Sequence, residues 1–114
     1  MALNDAALVV AANAVDGVIS HFQLHSAAPG AAGTTSPVGS RVAVNGTVDG
    51  DGDITWTNTA FTGLTANQSV THVSYWSASS GGTYYGNSAL TGDATANSAG
   101  EYTVTSVVET SSAS

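Results

Sequence analysis

Hydrophobic positions in the first fifteen residues recur at helical spacing, and from residue 18 onward they recur at every second position. Residues 3–15 are rich in alanine and contain neither Gly nor Pro, with Leu8, Ala11, Ala12 and Val15 at i, i+3, i+4 and i+7. This spacing predicts one short helix over residues 1–16. Asn4 and Asp5 stand where a cap and a dipole partner belong, and Gly17 supplies a stop. An apolar stripe of this kind packs on a sheet or on a neighbour.

Residues 18–26 alternate, which places Phe22 and Leu24 on one face of a strand and His21 and His25 on the other. The same period returns over residues 41–48, 53–61, 70–78, 83–90 and 101–110, and Ser79-Ser-Gly-Gly82 has the paired glycines of a hairpin turn. Between the first two runs, residues 27–39 hold both prolines and three glycines. They read as a long extended loop, and loops of that length tend to serve function or interaction. The expected fold is all-β, an antiparallel β-sandwich of jelly-roll or immunoglobulin-like order with a short N-terminal α-helix. Residues 1–114 make one domain, with the helix over 1–16, the sandwich over 17–110 and a polar tail over 111–114.

Charge changes this picture. Arg41 is the sole Lys or Arg against eight carboxylates, the net charge is −7, and 8% of residues are charged where about a quarter is usual. A surface of Ser, Thr, Asn and Gly is expected, its faces neutral or covered by neighbours. One cation cannot neutralise a phosphate backbone, so no nucleic acid partner is expected. Membrane is disfavoured as well, because the longest apolar run, residues 6–12, is too short to span a bilayer. The absence of cysteine excludes disulfides, Cys-ligated zinc and thiol catalysis. Met1-Ala-Leu-Asn-Asp5 lacks a positively charged n-region and reads as the start of an unexported polypeptide.

Candidate chemistry is thin. Asp49-Gly-Asp-Gly-Asp53 opens like a calcium loop, with Asp49, Asp51 and Asp53 at alternate positions. An EF-hand needs Gly at its sixth place and Glu at its twelfth, where this chain has Ile54 and Ala60. A hairpin tip is the plainer reading. His21 and His25 on one strand lie roughly 13 Å apart, too far to share an ion without a bend, and His72 comes from another strand. No Gly-x-Ser-x-Gly elbow is present, and most carboxylates fall in turns or near chain ends. No enzyme activity and no cofactor is expected. Arg41 and the aromatic pairs Tyr75-Trp76 and Tyr84-Tyr85 are candidate interface residues, of the types that interfaces favour. In a second reading Trp56, Tyr84 and Tyr85 stack on sugar rings while the three aspartates hold calcium.

Five motifs in sequence order carry a resemblance. They are Leu24-His-Ser-Ala-Ala-Pro-Gly30, Ser40-Arg-Val-Ala-Val44, Val70-Thr-His-Val-Ser-Tyr-Trp76, Ser80-Gly-Gly-Thr-Tyr-Tyr-Gly-Asn-Ser-Ala-Leu90 and Gly100-Glu-Tyr-Thr-Val-Thr-Ser-Val107. Together with the Ala-rich helix this succession resembles small structural proteins of tailed bacteriophages, labelled tail fibre, minor tail or head decoration proteins. The acidic turn at 49–53 departs from that pattern, whereas Arg41 stands where related sequences also carry Arg. The resemblance implies a non-enzymatic virion protein assembled in the host cytoplasm. Low charge and paired aromatics add a homo-oligomer, such as a trimer. Capsid decoration, with the major capsid protein as partner, is the expected role. A tail fibre or minor tail protein, or a module binding carbohydrate on the host surface, is the alternative.

Overall fold

A computed structural model describes residues 4–91 and 94–110. Helix α1 (Asp5–Val18) leads into seven strands: β1 (His21–His25), β2 (Pro37–Ala43), β3 (Thr47–Val48), β4 (Ile54–Phe61), β5 (His72–Trp76), β6 (Tyr84–Ala89) and β7 (Tyr102–Glu109). Their ladders are antiparallel and form two sheets, ordered β2-β1-β5-β6 and β3-β4-β7. The expected antiparallel sandwich with an N-terminal helix is what the chain forms. Its first strand lies inside its sheet, whereas an immunoglobulin domain places strand A at an edge.

The core sits between the sheets. Phe22, Leu24, Val73 and Tyr75 from one sheet meet Ile54, Trp56, Phe61, Val104 and Val107 from the other. Trp56 stacks on Tyr75 with ring centroids 5.6 Å apart, and Phe22 meets Trp56 edge-on at 5.3 Å. A polar bond crosses beside them: Tyr75 Oη donates to Glu109 Oε1 at 2.5 Å and ties β5 to the end of β7. Burial and that carboxylate raise the Tyr75 phenol well above its usual range, so it remains a donor.

Three boundaries differ from expectation, each for a local reason. The helix is capped as expected, with Asn4 Oδ1 accepting from the Ala7 amide, but it runs through Gly17 to Val18. Buried Ile19 extends the hydrogen-bond pattern by donating to the Val15 carbonyl and then turns the chain into the sheet. Strand β2 begins at Pro37, inside the expected loop, because an edge strand tolerates a missing N–H. The run 41–48 splits, since β2 belongs to one sheet and β3 to the other, and the chain crosses between them at 44–46.

The helix also rests on a different side. Of the expected stripe Ala12 is buried, but Ala11 and Val15 are exposed. The seated side follows Leu8, Ala12 and Asp16. Asp16 Oδ1 accepts from the Gly46 amide, and a side chain at Gly52 (φ +83°) would meet the Leu8 backbone at 2.8 Å. Periodicity defined a stripe, and the polar anchor at Asp16 with the close approach at Gly52 fixed which side faces inward.

Candidate functional site

The two inner strands of the four-stranded sheet are buried on both sides. Phe22, Leu24, Val73 and Tyr75 face the core, while Gln23, His25, Ser74 and Trp76 face outward and are nevertheless buried. Part of the cover is the loop of residues 26–36, closed by the Ser26 amide to the Ser36 carbonyl and by the Thr35 amide to the Pro29 carbonyl and bonded to His25 through Thr35, while Arg41 and Tyr84 lie against Trp76. The long loop is thus a cover.

Beneath it runs a chain of hydrogen bonds whose directions follow from the groups themselves. The Thr35 carbonyl can only accept, so His25 Nδ1 carries the proton of their 2.7 Å bond. His25 Nε2 is then the acceptor, and Ser74 Oγ donates to it at 2.6 Å while accepting from Trp76 Nε1 at 2.7 Å. The relay from indole to hydroxyl to imidazole to carbonyl is satisfied only with a neutral histidine. Gln23 adds a second tie, its Nε2 donating to the Val38 and Gly39 carbonyls at 2.8 and 3.0 Å.

Arg41 lies beside this cluster. Its guanidinium is 3.8 Å from the centre of the Trp76 ring, and Nη1 donates to the carbonyls of Ala78 and Gly81 at 2.9 and 2.7 Å. Among the described residues it forms no ion pair with a carboxylate. It clamps β2 to the β5–β6 hairpin through a cation–π contact and two backbone bonds. Tyr84 packs tilted against Trp76 with ring centroids 5.4 Å apart, and the backbone of Gly33 (φ +73°) lies against the Tyr84 ring, so close that a Cβ there would stand 2.4 Å from it. Loop, arginine and aromatics form one unit on the outside of the sandwich.

Burial holds the His25 imidazole below its ordinary value of 6.5; the bond to Thr35 opposes this, and the positive charges of His72 and Arg41 reinforce it. The unfolded chain therefore takes up this proton first. The stability associated with neutral His25 is complete above about pH 6.5 and is lost as pH falls through the lower folded value. Melting temperature is expected to begin falling as pH drops below about 6.5, before the carboxylates titrate. His25→Gln, which retains a donor and an acceptor, should flatten that slope; an equal slope in the variant would assign the titration to other groups.

The remaining candidates are placed as follows. Asp49 Oδ1 accepts from the amides of Asp51 and Asp53 at 2.9 and 3.0 Å, which uses the first carboxylate to close the β3–β4 hairpin. Among the described residues no three His, Asp or Glu stand where they could hold one metal ion. Trp56 is a core residue at 1% exposure, which corrects the reading of it as a sugar platform: its alternation placed it on the inner face of β4. Tyr75 and Trp76 are buried within the chain, and Tyr84 is half-buried under the loop. Of the five expected interface residues only Tyr85 is exposed, at 44%. No described helix is long and apolar enough to cross a membrane.

Two surfaces were not located by the alternation pattern, although a neutral Ser and Thr surface was expected. On the side of α1 away from the sheets lie Ala6, Val10, Ala11, Ala14 and Val18, all exposed, with Val10 at 71%. A surface helix ordinarily carries charge there, and one that is apolar all round belongs in an interior. The second is the outside of the three-stranded sheet, where Thr47, Thr57, Thr103, Thr105, Ser106 and Val108 form an uncharged exposed face. The His25–Ser74–Trp76 relay was also missed, because strand alternation says nothing about which loop returns over a face. Its available signal was the polar residues at the outward positions of two otherwise apolar strands, His21, Gln23 and His25 on β1 and His72 and Ser74 on β5.

A family model described as "Podophage GP4 fiber I protein gp80" matches residues 6–109. No curated protein and no solved structure matches the chain.

Proposed function

We infer the role of this chain from one premise: it belongs to the podophage GP4 fiber I protein gp80 family. It is a structural protein of the tailed-phage fibre kind, and a virion component. The finer reading we propose is a non-enzymatic building block of a fibre, in which several copies pack together and against a neighbouring tail protein. The match over residues 6–109 carries this reading. It favours the fibre role over capsid decoration, the role expected of one small domain without the long repeats of a fibre shaft.

The surfaces support assembly in physical terms. An exposed helix face without a charge and a hydroxyl-coated sheet face carry no like-charge penalty when copies meet, although the chain as a whole has a net charge of −7. The buried polar residues Gln23, His25 and Ser74 are hydrogen-bonded to one another or to backbone rather than gathered in an open cleft, consistent with a scaffold rather than a catalyst. A glycan-binding reading gains little, since Trp56 and Trp76 are both covered.

Labelling the protein on purified virions and imaging them by electron microscopy tests the placement. Label is expected along the tail fibres. Label confined to the capsid would restore the decoration role.

A further inference from the structure

Each sheet of an open sandwich has two edges, and soluble proteins guard such edges against pairing with another chain. Three of the four here are guarded. Edge strand β2 carries Pro37, Gly39 at φ +68° and Arg41, and its register with β1 is broken between Phe22 and Leu24. β6 contains Gly86 at φ +142° and has a register shift opposite Tyr75 and Trp76. β3 is two residues long.

β7 has none of these devices. It runs for eight residues without Gly, Pro, Lys or Arg, and among the described residues it pairs with β4 alone. Its only charge, Glu109, is bonded to the Tyr75 hydroxyl. Five of its residues are Val or Thr, types that fit a pleated sheet.

We propose that β7 pairs antiparallel with β7 of a second copy, about a two-fold axis between Thr105 and Ser106, so that two three-stranded sheets become one of six strands. This rests on the self-assembly reading above and names the surface that carries it.

The register comes from a break in the strand. Tyr102 and Val104 face inward, yet the next inward residue is Val107, so Thr105 and Ser106 are both exposed. The break follows β4, whose inward residues shift from Trp56 to Thr59 around Asn58 at φ +52°. An unbroken strand could pair with its copy in many registers that match inside with inside. With the break, both halves match only when Thr105 lies opposite Ser106, Val104 opposite Val107 and Thr103 opposite Val108. Such a contact is isologous, each residue meeting the reciprocal one. Charge selects the antiparallel sense as well. The two Glu109 residues then stand at opposite ends of the pair, roughly 24 Å apart over seven strand steps, whereas an in-register parallel pair would set them side by side. Eight residues a side bury less than the roughly 800 Å² per partner of a stable complex. The dimer is therefore weak in dilute solution and effective where copies are held together.

The cysteine-free chain makes a clean test. Thr103→Cys with Val108→Cys puts two thiols on the outer face, roughly 17 Å apart within one copy and roughly 5 Å from the reciprocal thiol across the pair. Mild oxidation is expected to give a covalent dimer about tenfold faster than with Thr103→Cys alone, owing to high effective concentration. Equal rates would mean random collision and would overturn the register. Thr105→Lys with Ser106→Lys, checked for an unchanged circular dichroism spectrum, should abolish the self-association that sedimentation detects in the parent chain. Intact oligomers in that variant would overturn pairing through β7 while leaving self-assembly in place. A parent chain that stays monomeric at every concentration, and cross-links no faster than the single variant, would remove both.

Discussion

Trp56→Ala is expected to cost about 3–5 kcal/mol, the range for emptying an aromatic site in a packed core, and to be the most damaging truncation in the chain. Total stability for a domain of this kind is on the order of 5–15 kcal/mol, so a large share of the folded margin rests on one side chain. The reason is position. Trp56 on β4 is the residue through which the two sheets touch ring to ring, stacked on Tyr75 and met edge-on by Phe22. Emptying it leaves both partner rings facing a void that the sheets cannot close without moving apart. A urea titration should show the midpoint falling with its slope unchanged. The companion Trp56→Phe should behave differently. Trp56 Nε1 is buried and is the one buried side-chain polar atom without a hydrogen-bond partner among the described residues. A buried donor left unmade costs about 1–3 kcal/mol, and phenylalanine removes that penalty while retaining most of the ring contact. The loss should stay below about 1.5 kcal/mol, and a cost equal to that of alanine would show that the indole N–H has a partner.

Trp56 also illustrates what was legible in the sequence. Alternation with Thr55 and Thr57 put it on one face of a strand, as it put Phe22 and His25 on opposite faces, but left open whether that face was core or sugar platform. These are local properties with a period of two, and local patterns are enough to define strands and a sandwich. What escaped the pattern is non-local. Tyr75 and Trp76 on opposite faces of one strand fit burial on both sides as well as an interface, and nothing in the run 70–78 announces that Arg41 and Tyr84 will lie against Trp76. Arg41, a candidate interface residue in the sequence, lies on an indole and bonds two carbonyls, partners 35 or more residues away in the chain. The helix stripe was legible as a stripe, but its seated side was decided by Asp16 meeting Gly46 and by the glycine at 52. The edge of β7 was in the sequence throughout, as a run without Gly, Pro or Lys. It acquires meaning only beside the guarded edges of the other strands.

Ser74→Ala should cost about 2–4 kcal/mol, far more than one lost oxygen suggests, because that oxygen is the middle of the relay. Ser74 Oγ both accepts from Trp76 Nε1 and donates to His25 Nε2. Removing it leaves two buried groups unpaired, at about 1–3 kcal/mol for each, and alanine brings no compensating atom. The loss should be concentrated on one surface. Residues 26–36 are held partly through the bond from His25 Nδ1 to the Thr35 carbonyl. An imidazole released from Ser74 is free to turn and give up that bond. Hydrogen exchange in the loop should accelerate in Ser74→Ala while the β4–β7 ladder on the far sheet keeps its relative protection. Two comparisons separate the relay from simple packing. Ser74→Thr retains the hydroxyl and should retain much of the loop protection, subject to the space for one methyl. Trp76→Phe removes one donor and weakens the Arg41 contact, yet leaves Ser74 and His25 joined, so its loss should fall mainly on the β5–β6 hairpin that Arg41 clamps. If Ser74→Ala and Trp76→Phe loosened the same amides to the same degree, the cover would be held by contact with the tryptophan ring. If the two patterns diverge as described, the loop is held by the histidine and the hairpin by the arginine, and acid should release the first without the second.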